Sequence, residues 1–313
     1  PGAAGGGRVN GAGGRTGPVV LVDASIWIFR AHFSLPESIV DDAGRPAAAL
    51  QGWAATLLDE LARAPAAFGV AFDEALFSGF RHRLYAPYKA DRVLPDAALA
   101  HQLDAARKLC EALGLCTAAS AEFEADDLIA TAAARARAAG RSVEIVSRDK
   151  DLLQSLRAPD DRMRAADGSR SFDLAAAEAR FGVPTDAIPD LQALSGDAID
   201  GIPGVRGVGE RTAMRLIRRH GDLERLYAAL DAEGASALGG LRGAAGLTER
   251  LLAAREAVFL FRELTRARED AAVDFAPHAA PAPRPTPARA AEALAAVGLG
   301  GRLRARVARL EGG

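Results

Sequence analysis

Nine carboxylates, each placed where a buried strand or a tight turn should end, are the residues of this chain best suited to chemistry. They are Asp23 after the apolar run Val19 to Val22, Asp73 after Gly69 to Phe72, the group Glu124, Asp126 and Asp127, the pair Asp149 and Asp151 after Val143 to Val146, and the pair Asp197 and Asp200. Open α/β sheets bind ligands in the crevice beyond the carboxyl ends of their strands, so acids spread over roughly 180 residues can converge on one place. So many carboxylates share a site only with cations. Two divalent ions about 3.5–4 Å apart polarise a scissile phosphate, generate a hydroxide nucleophile and stabilise the leaving oxygen, and hard ions of this kind take oxygen ligands. Any one of these acids alone reads as a cap or as solvated surface. Glu124, Asp126 and Asp127 also suit the positive end of the helix they open.

Two basic segments accompany the acids. Arg81, Arg83, Lys89 and Arg92 face the single acid Asp91, and Lys89 and Arg92, three residues apart, would point the same way on a helix. Arg81 and Arg83 extend this cationic path in the manner of an electrostatic funnel for a single strand. Tyr88 either stacks on a base or packs. In the second segment, Arg206, Arg211, Arg215, Arg218 and Arg219 stand against Glu210 alone. The formal charge of −2 therefore conceals a locally polarised chain, although a nucleic-acid binder usually shows a basic excess. The chain has only three lysines, Lys89, Lys108 and Lys150, among 39 cations, so most arginines reflect a compositional bias and cover solvated helix faces.

The elements that must position these groups follow from the hydrophobic pattern. Val19 to Val22, Phe68 to Phe72 and Val143 to Val146 read as buried strands, and 48–62 as an amphipathic helix. A helix is expected over 96–113 with Asp96 as its cap and Gly114 as its stop, another over 124–138, and a third opening at 149–156. Alternating strands and helices imply a doubly wound, largely parallel sheet. Beyond about residue 180, Gly and Pro punctuate short helices. The Pro/Ala-rich run 276–288 is a linker or surface strap, and 290–310 a final helical stretch.

Residues 1–17 form a flexible Gly/Ala-rich lead without the apolar core of a signal peptide, and no run of 18 apolar residues occurs. Cys110 and Cys116 suggest neither a disulfide framework nor a zinc site. A soluble, monomeric, cytoplasmic protein without a membrane partner is the expectation.

Five motifs in order carry a family resemblance. They are Asp23 after the first strand, Tyr88-Lys89-Ala90-Asp91-Arg92, Glu124-Ala125-Asp126-Asp127, Ser147 to Gln154, and Gly196 to Gly209. Over residues 18 to about 270 the chain resembles the bacterial and phage 5′-3′ exonuclease and flap endonuclease family, a unit that also forms the N-terminal part of many bacterial DNA polymerase I chains. The resemblance implies a PIN-like α/β nuclease domain over 18–180 with a helical arch at about 80–113. It further implies a helical domain over 181–270 with a helix-hairpin-helix variant, followed by a strap and tail over 271–313.

By the same resemblance, Asp23, Asp73, Glu124 and Asp126 hold a first Mg²⁺, with Asp127 supporting it through water. Asp149, Asp151, Asp197 and Asp200 hold a second, and Mn²⁺ substitutes for Mg²⁺. Lys89 and Arg92 reach the scissile phosphate from the arch. The Gly/Pro-rich hairpin with Gly204, Val205, Gly207 and Gly209 leads into a helix bearing Arg211, Thr212 and Arg215. This module grips duplex DNA through backbone N–H groups and holds a monovalent cation, K⁺, against the DNA backbone. No buried strand precedes Gly204, so the glycines are not a dinucleotide fingerprint. Thr212 either touches a phosphate or caps.

Three positions depart from the family pattern. Gly201 replaces an Asn and is expected to leave Asp200 less rigid, Arg148 adds a cation beside the second group of acids, and Arg211 replaces a Lys. The implied activity is hydrolysis of DNA at 5′ flaps, nicks, branched duplexes and single-stranded 5′ ends, in primer removal and repair. A junction-binding module that does not cut, or a PIN-type ribonuclease, are the alternatives. The first would lack metal ligands, and the second would lack residues 180–270.

Overall fold

The computed structural model describes residues 17–312 other than 37, 76 and 77, so the expected flexible lead lies outside the described residues except for Gly17. Val-Val-Leu-Val-Asp forms strand β1 (Val19–Asp23), buried along its whole length. A strand buried on both faces needs apolar residues on both, and here they divide with period two. Val19 and Leu21 enter one core while Val20 and Val22 enter the other. Asp23 caps helix α1 (Ala24–Ser34), accepting from the Ile26 N–H at 3.3 Å. Helix α2 (Ala48–Ala62) and strand β2 (Ala67–Asp73) complete the first strand-helix-strand unit.

The next segment differs from the expected helical arch. A single short helix α3 (Phe80–Leu84) is followed by turns and irregular backbone up to Asp96. Helix α4 (Ala97–Ala112) begins as expected, with the Leu99 N–H donating to Asp96 Oδ1 at 2.7 Å, and ends at Gly114 (φ +75°). Its Leu99, Ala106 and Leu109 are buried with Trp53 and Leu57 of α2. It is therefore a core helix, and the span available to an arch shrinks to the loop before it.

Strand β3 (Cys116–Ser120), helix α5 (Ala125–Ala138) and strand β4 (Val143–Val146) follow. The helix expected at 149–156 is one 3₁₀ segment, Lys150–Ser155. A hairpin of β5 (Arg162–Arg164) and β6 (Ser171–Asp173) leads into α6 (Leu174–Phe181). The sheet order is β3-β2-β1-β4-β5-β6, parallel except for the β5–β6 pair. The order reverses between β1 and β4, where Val22 pairs with Val146. The crevice beyond their carboxyl ends is thus the expected ligand position, and Asp23 and Ser147 both open onto it.

The rest is helical: α7 (Ile188–Ser195), α8 (Glu210–His220), α9 (Leu223–Glu233), α10 (Ala244–Ala253), α11 (Arg255–Thr265), α12 (Pro287–Ala296) and α13 (Arg304–Val307). Helix α7, the 196–209 hairpin and α8 make a helix-hairpin-helix. The run after α11 is a strap laid on the sheet. A Cβ on Gly69 would lie 2.8 Å from Phe275 and from Pro277, so glycine in β2 is what lets the strap seat there. The Arg135 guanidinium of α5 donates to the carbonyls of Ala271, Val273 and Phe275, holding the strap from the helix side.

Candidate active site

The strand ends bring the predicted acids to one cavity of about 320 Å³, lined by Glu124, Asp126, Asp149, Asp151, Asp197 and Asp200. Asp23, buried, and Asp73, half-buried, do not line the cavity but feel its charges. Burial, then the charges of Asp149 and Asp73, push the Asp23 carboxyl up to about 7 although the Ser147 hydroxyl donates to it at 2.9 Å. Burial and the Glu124 charge raise Asp73 to about 6. Asp126 is driven well above the usual carboxylate range by burial, then by Asp149 and Asp23, and Asp151 and Asp200 are raised chiefly by burial. Glu124 behaves oppositely. Burial works against its ionisation, but Lys89 and Arg81 together outweigh that and hold it down at about 2.

Two lysine ammoniums sit among these carboxylates. Lys89 Nζ donates to both oxygens of Glu124 at 2.9 and 3.0 Å and lies 3.8 Å from Asp200. Lys150 Nζ donates to Asp151 at 2.8 Å and to Asp197 at 2.9 Å. Each ammonium thus bridges acids expected to hold a divalent ion. Among the described residues no three acids, histidines or cysteines are set for holding a metal ion, and Glu124, Asp151 and Asp197 are instead engaged by the two lysines. Asp73 supplies the test of fit. Its Oδ1 is buried without a hydrogen-bond partner, which is costly unless a cation or solvent satisfies it, while its backbone N–H is held by Ser25 Oγ at 2.9 Å. An oxygen-only donor set with one orphaned carboxylate oxygen and mutually repelling charges fits a hard divalent cation.

The structure departs from the sequence reading at several of the remaining positions. Asp127 does not face the cavity. It is fully buried and takes both Arg81 guanidinium nitrogens, at 2.6 and 2.7 Å, together with the backbone N–H groups of Glu124 and Arg268. Its oxygens are committed, so it positions Glu124 through a capping box and supports no ion through water. Arg81 is only 3% exposed, and besides Asp127 it bonds the Leu264 and Arg266 carbonyls. It ties α3 to the helical domain and is no part of a DNA funnel. Arg83 is exposed and paired with Glu122 and the Ser78 carbonyl. Tyr88, 1% exposed, packs, and its hydroxyl donates to Glu124 at 3.0 Å.

Lys89 and Arg92 do share one side of the cavity, but on a turn and not on a helix. Lys89 has φ +49°, the Arg92 N–H bonds the Lys89 carbonyl, and the Arg92 guanidinium reaches Asp200 at 3.4 Å. Gly201 does not loosen Asp200. The Lys89 N–H donates to the Asp200 carbonyl at 3.0 Å, and at Gly201 (φ +71°) a Cβ would lie 2.6 Å from the Pro87 carbonyl. Glycine is what lets this turn close on the Lys89 loop. Arg148 lines the cavity with its guanidinium on Asp167 at 3.0 Å.

In the hairpin, Gly204 (φ +63°) and Val205 serve the fold. A Cβ on Gly204 would lie 2.3 Å from the Gly196 nitrogen, and the Val205 N–H donates to the Leu194 carbonyl. Gly207, Gly209, Arg211 and Arg215 are exposed, and α8 starts at Gly209 without a side-chain cap, so Thr212 does not cap it. Three supporting residues escaped the sequence reading: Ser25 under Asp73, Ser147 between Asp23 and the Asp149 N–H, and Gln192, whose amide donates to Asp151. Ser147 lay inside a motif already noted, whereas nothing local marks Ser25 or Gln192.

With this geometry in place, comparison with known proteins is decisive. Residues 18–182 match the N-terminal resolvase-like domain of 5′-3′ exonucleases, and residues 183–288 match their C-terminal SAM-fold domain. The chain belongs to the 5′-3′ exonuclease family. Among relatives of this 5′-3′ exonuclease-family chain, the DNA polymerase I of Pseudomonas aeruginosa is 38% identical over 259 residues, covering 82% of this chain but 28% of the polymerase. The chain thus spans little more than a quarter of that relative. The 5′-3′ exonuclease of Mycobacterium tuberculosis is 35% identical over 287 residues, covering 82% of this chain and 85% of that protein. The bacteriophage T5 flap endonuclease shares the fold, with a TM-score of 0.61 at 20% identity over 94% of this chain and 98% of that one. Among the described residues, no helix is long and apolar enough to cross a membrane.

Proposed function

We propose that this chain is a metal-dependent 5′-3′ exonuclease and flap endonuclease that hydrolyses DNA phosphodiester bonds at or near 5′ ends. The observation that carries this is the convergence of six acids on one cavity, backed by buried Asp23 and the orphaned Asp73 oxygen, beside Lys89 and Arg92. The T5 flap endonuclease was solved as a complex with DNA and metal ions, which supports both partner and cofactor.

Asp23, Asp73, Glu124 and Asp126 would hold one Mg²⁺, and Asp149, Asp151, Asp197 and Asp200 a second, with Mn²⁺ able to replace them. When bound, the ions supply Lewis-acid activation of the phosphodiester and of the attacking water. Lys89 and Arg92, on one turn at the cavity wall, bind the scissile phosphate and neutralise charge developing on it. Lys89 and Lys150 then exchange carboxylate partners for phosphate or solvent. Water attacks phosphorus, the bond to the 3′ oxygen breaks, and that oxygen takes a proton, leaving a 5′-phosphate and a 3′-hydroxyl. Gly207, Gly209, Arg211 and Arg215 grip duplex phosphates without reading sequence, with K⁺ at the hairpin. Primer removal and repair in the cytoplasm, where Cys110 and Cys116 stay as free thiols, are the processes this chemistry serves.

Asp126→Asn tests the reading. It should abolish cleavage while changing flap binding less than threefold, and cleavage at the wild-type rate would refute the metal assignment.

A further inference from the structure

Three guanidiniums gather on the side of the cavity next to the second group of acids. Arg148 follows β4, Arg170 ends the β5–β6 turn and Arg180 stands in the last turn of α6, and all three line the cavity that Asp149, Asp151 and Asp197 line. Most cations of that side, Arg148 included, are committed. Arg164 is held by Glu60 and Glu144, Lys150 by Asp151 and Asp197, and Arg148 by Asp167, which also takes Arg30. Arg170 and Arg180 differ. Both are exposed, and among the described residues neither is in an ion pair, the Arg180 guanidinium lying 5.6 Å from the centre of the Phe181 ring.

Both are nonetheless held in place. The Ala165 N–H donates to the Arg170 carbonyl at 3.0 Å, closing the turn, while Arg30 and Arg148 pin that turn through Asp167. Helix α6 ends at Gly182 (φ +69°), where a Cβ would lie 2.4 Å from Met214 Sδ, so its end rests directly on α8 between Arg211 and Arg215 in sequence. The end of α6 that carries Arg180 thus touches α8, and Arg180, Arg170 and Arg148 line one side of the acidic cavity. A guanidinium fork matches phosphate oxygens in bidentate fashion, and free guanidiniums beside carboxylates they do not pair with are placed for another anion.

We propose that Arg170 and Arg180, with Arg148 beside them, bind a substrate phosphate on the stretch between the duplex held by α8 and the scissile bond. The proposal rests on the nuclease reading above. It is tested by fluorescence anisotropy of a 5′-flap duplex in EDTA over a series of NaCl concentrations, with wild type, R170A, R180A, R170A/R180A and the control R63A.

Each arginine that contacts a phosphate contributes about one to the slope of log affinity against log salt. The double variant should lose about two from that slope and bind about tenfold more weakly, with R63A unchanged and all unfolding midpoints alike. An equal loss on 5′-phosphorylated and 5′-hydroxyl flaps is the result expected of a backbone phosphodiester, whereas a loss confined to the phosphorylated flap overturns the placement, because the terminal phosphate lies beyond the scissile bond. Wild-type affinity and slope in the double variant, from an enzyme that cleaves the flap with Mg²⁺, overturn the arginine assignment alone. Failure of the wild type itself to bind or cleave overturns the nuclease reading and this proposal with it.

Discussion

Arg81 and Asp127 form a closed bidentate ion pair beneath the acidic cavity, with both nitrogen-oxygen distances under 2.8 Å and neither side chain open to solvent. The pair ties α3 to the cap of α5 and, through the Leu264 and Arg266 carbonyls, to the end of α11. Breaking such a pair from one side strands a buried charge. Arg81→Met should therefore destabilise the protein by about 3–5 kcal/mol in urea unfolding. A loss below about 1 kcal/mol would mean that Asp127 finds solvent.

Lys89 is buried against Glu124, and on the proposed mechanism its removal should change the chemical step more than the grip on DNA. Lys89→Ala should lower the single-turnover cleavage rate by roughly 10²–10³, the scale for a lost charge-stabilising donor, while flap affinity changes little. A purely structural role would instead show as a lowered unfolding midpoint with unchanged turnover in the folded fraction.

The pH dependence of stability without metal follows from Asp23 and Asp73. Both folded-state values, about 7 and about 6, lie above the ordinary 3.8, so between pH 4 and 7 the folded protein binds more protons than the unfolded chain. Stability contributed by the protonated forms is complete below about pH 4 and is lost as pH rises through 6 and 7. In EDTA the Tm should consequently be lower at pH 8 than at pH 5. Mg²⁺ should flatten this decline, since metal binding favours the ionised carboxylates. A Tm that rises from pH 5 to 8 in EDTA would contradict the placement of these two acids.

Two glycines of the hairpin separate fold from function. A Cβ at Gly204 meets backbone at 2.3 Å and a positive φ, whereas one at Gly209 meets nothing within 4 Å. Gly204→Ala should cost at least about 1–2 kcal/mol by differential scanning calorimetry. Gly209→Ala should leave stability nearly unchanged. Equal Tm values for the two variants would show that the 196–204 approach is looser than described.

The legible parts of this protein were those written in local pattern. Buried apolar runs marked β1, β2 and β4, Asp96 and Gly114 bracketed α4, and the order of acidic motifs marked the site. Strand β3, Cys-Thr-Ala-Ala-Ser, carries no apolar run because it lies at the sheet edge and is only half-buried, and β5 and β6 have three residues each. Helix α1 was hidden because its cap, Asp23, was already read as a ligand. The roles of Arg81 and Asp127 were illegible for a different reason. A charged residue in a basic segment looks solvent-facing until the partner 46 residues away is known. The same holds for Arg170 and Arg180, which come to line one cavity with Asp151 only through the β5–β6 hairpin and α6.

The most direct measurement is cleavage of a 5′-flap duplex, labelled at either end, with Mg²⁺ and with EDTA, beside single-stranded and blunt duplex controls. The account predicts cleavage near the junction in Mg²⁺ only, with products bearing a 5′-phosphate and a 3′-hydroxyl. Tight binding of the flap without cleavage under Mg²⁺ or Mn²⁺ would contradict it, and would mean that Lys89 and Lys150 stay on their carboxylates and keep the ions out.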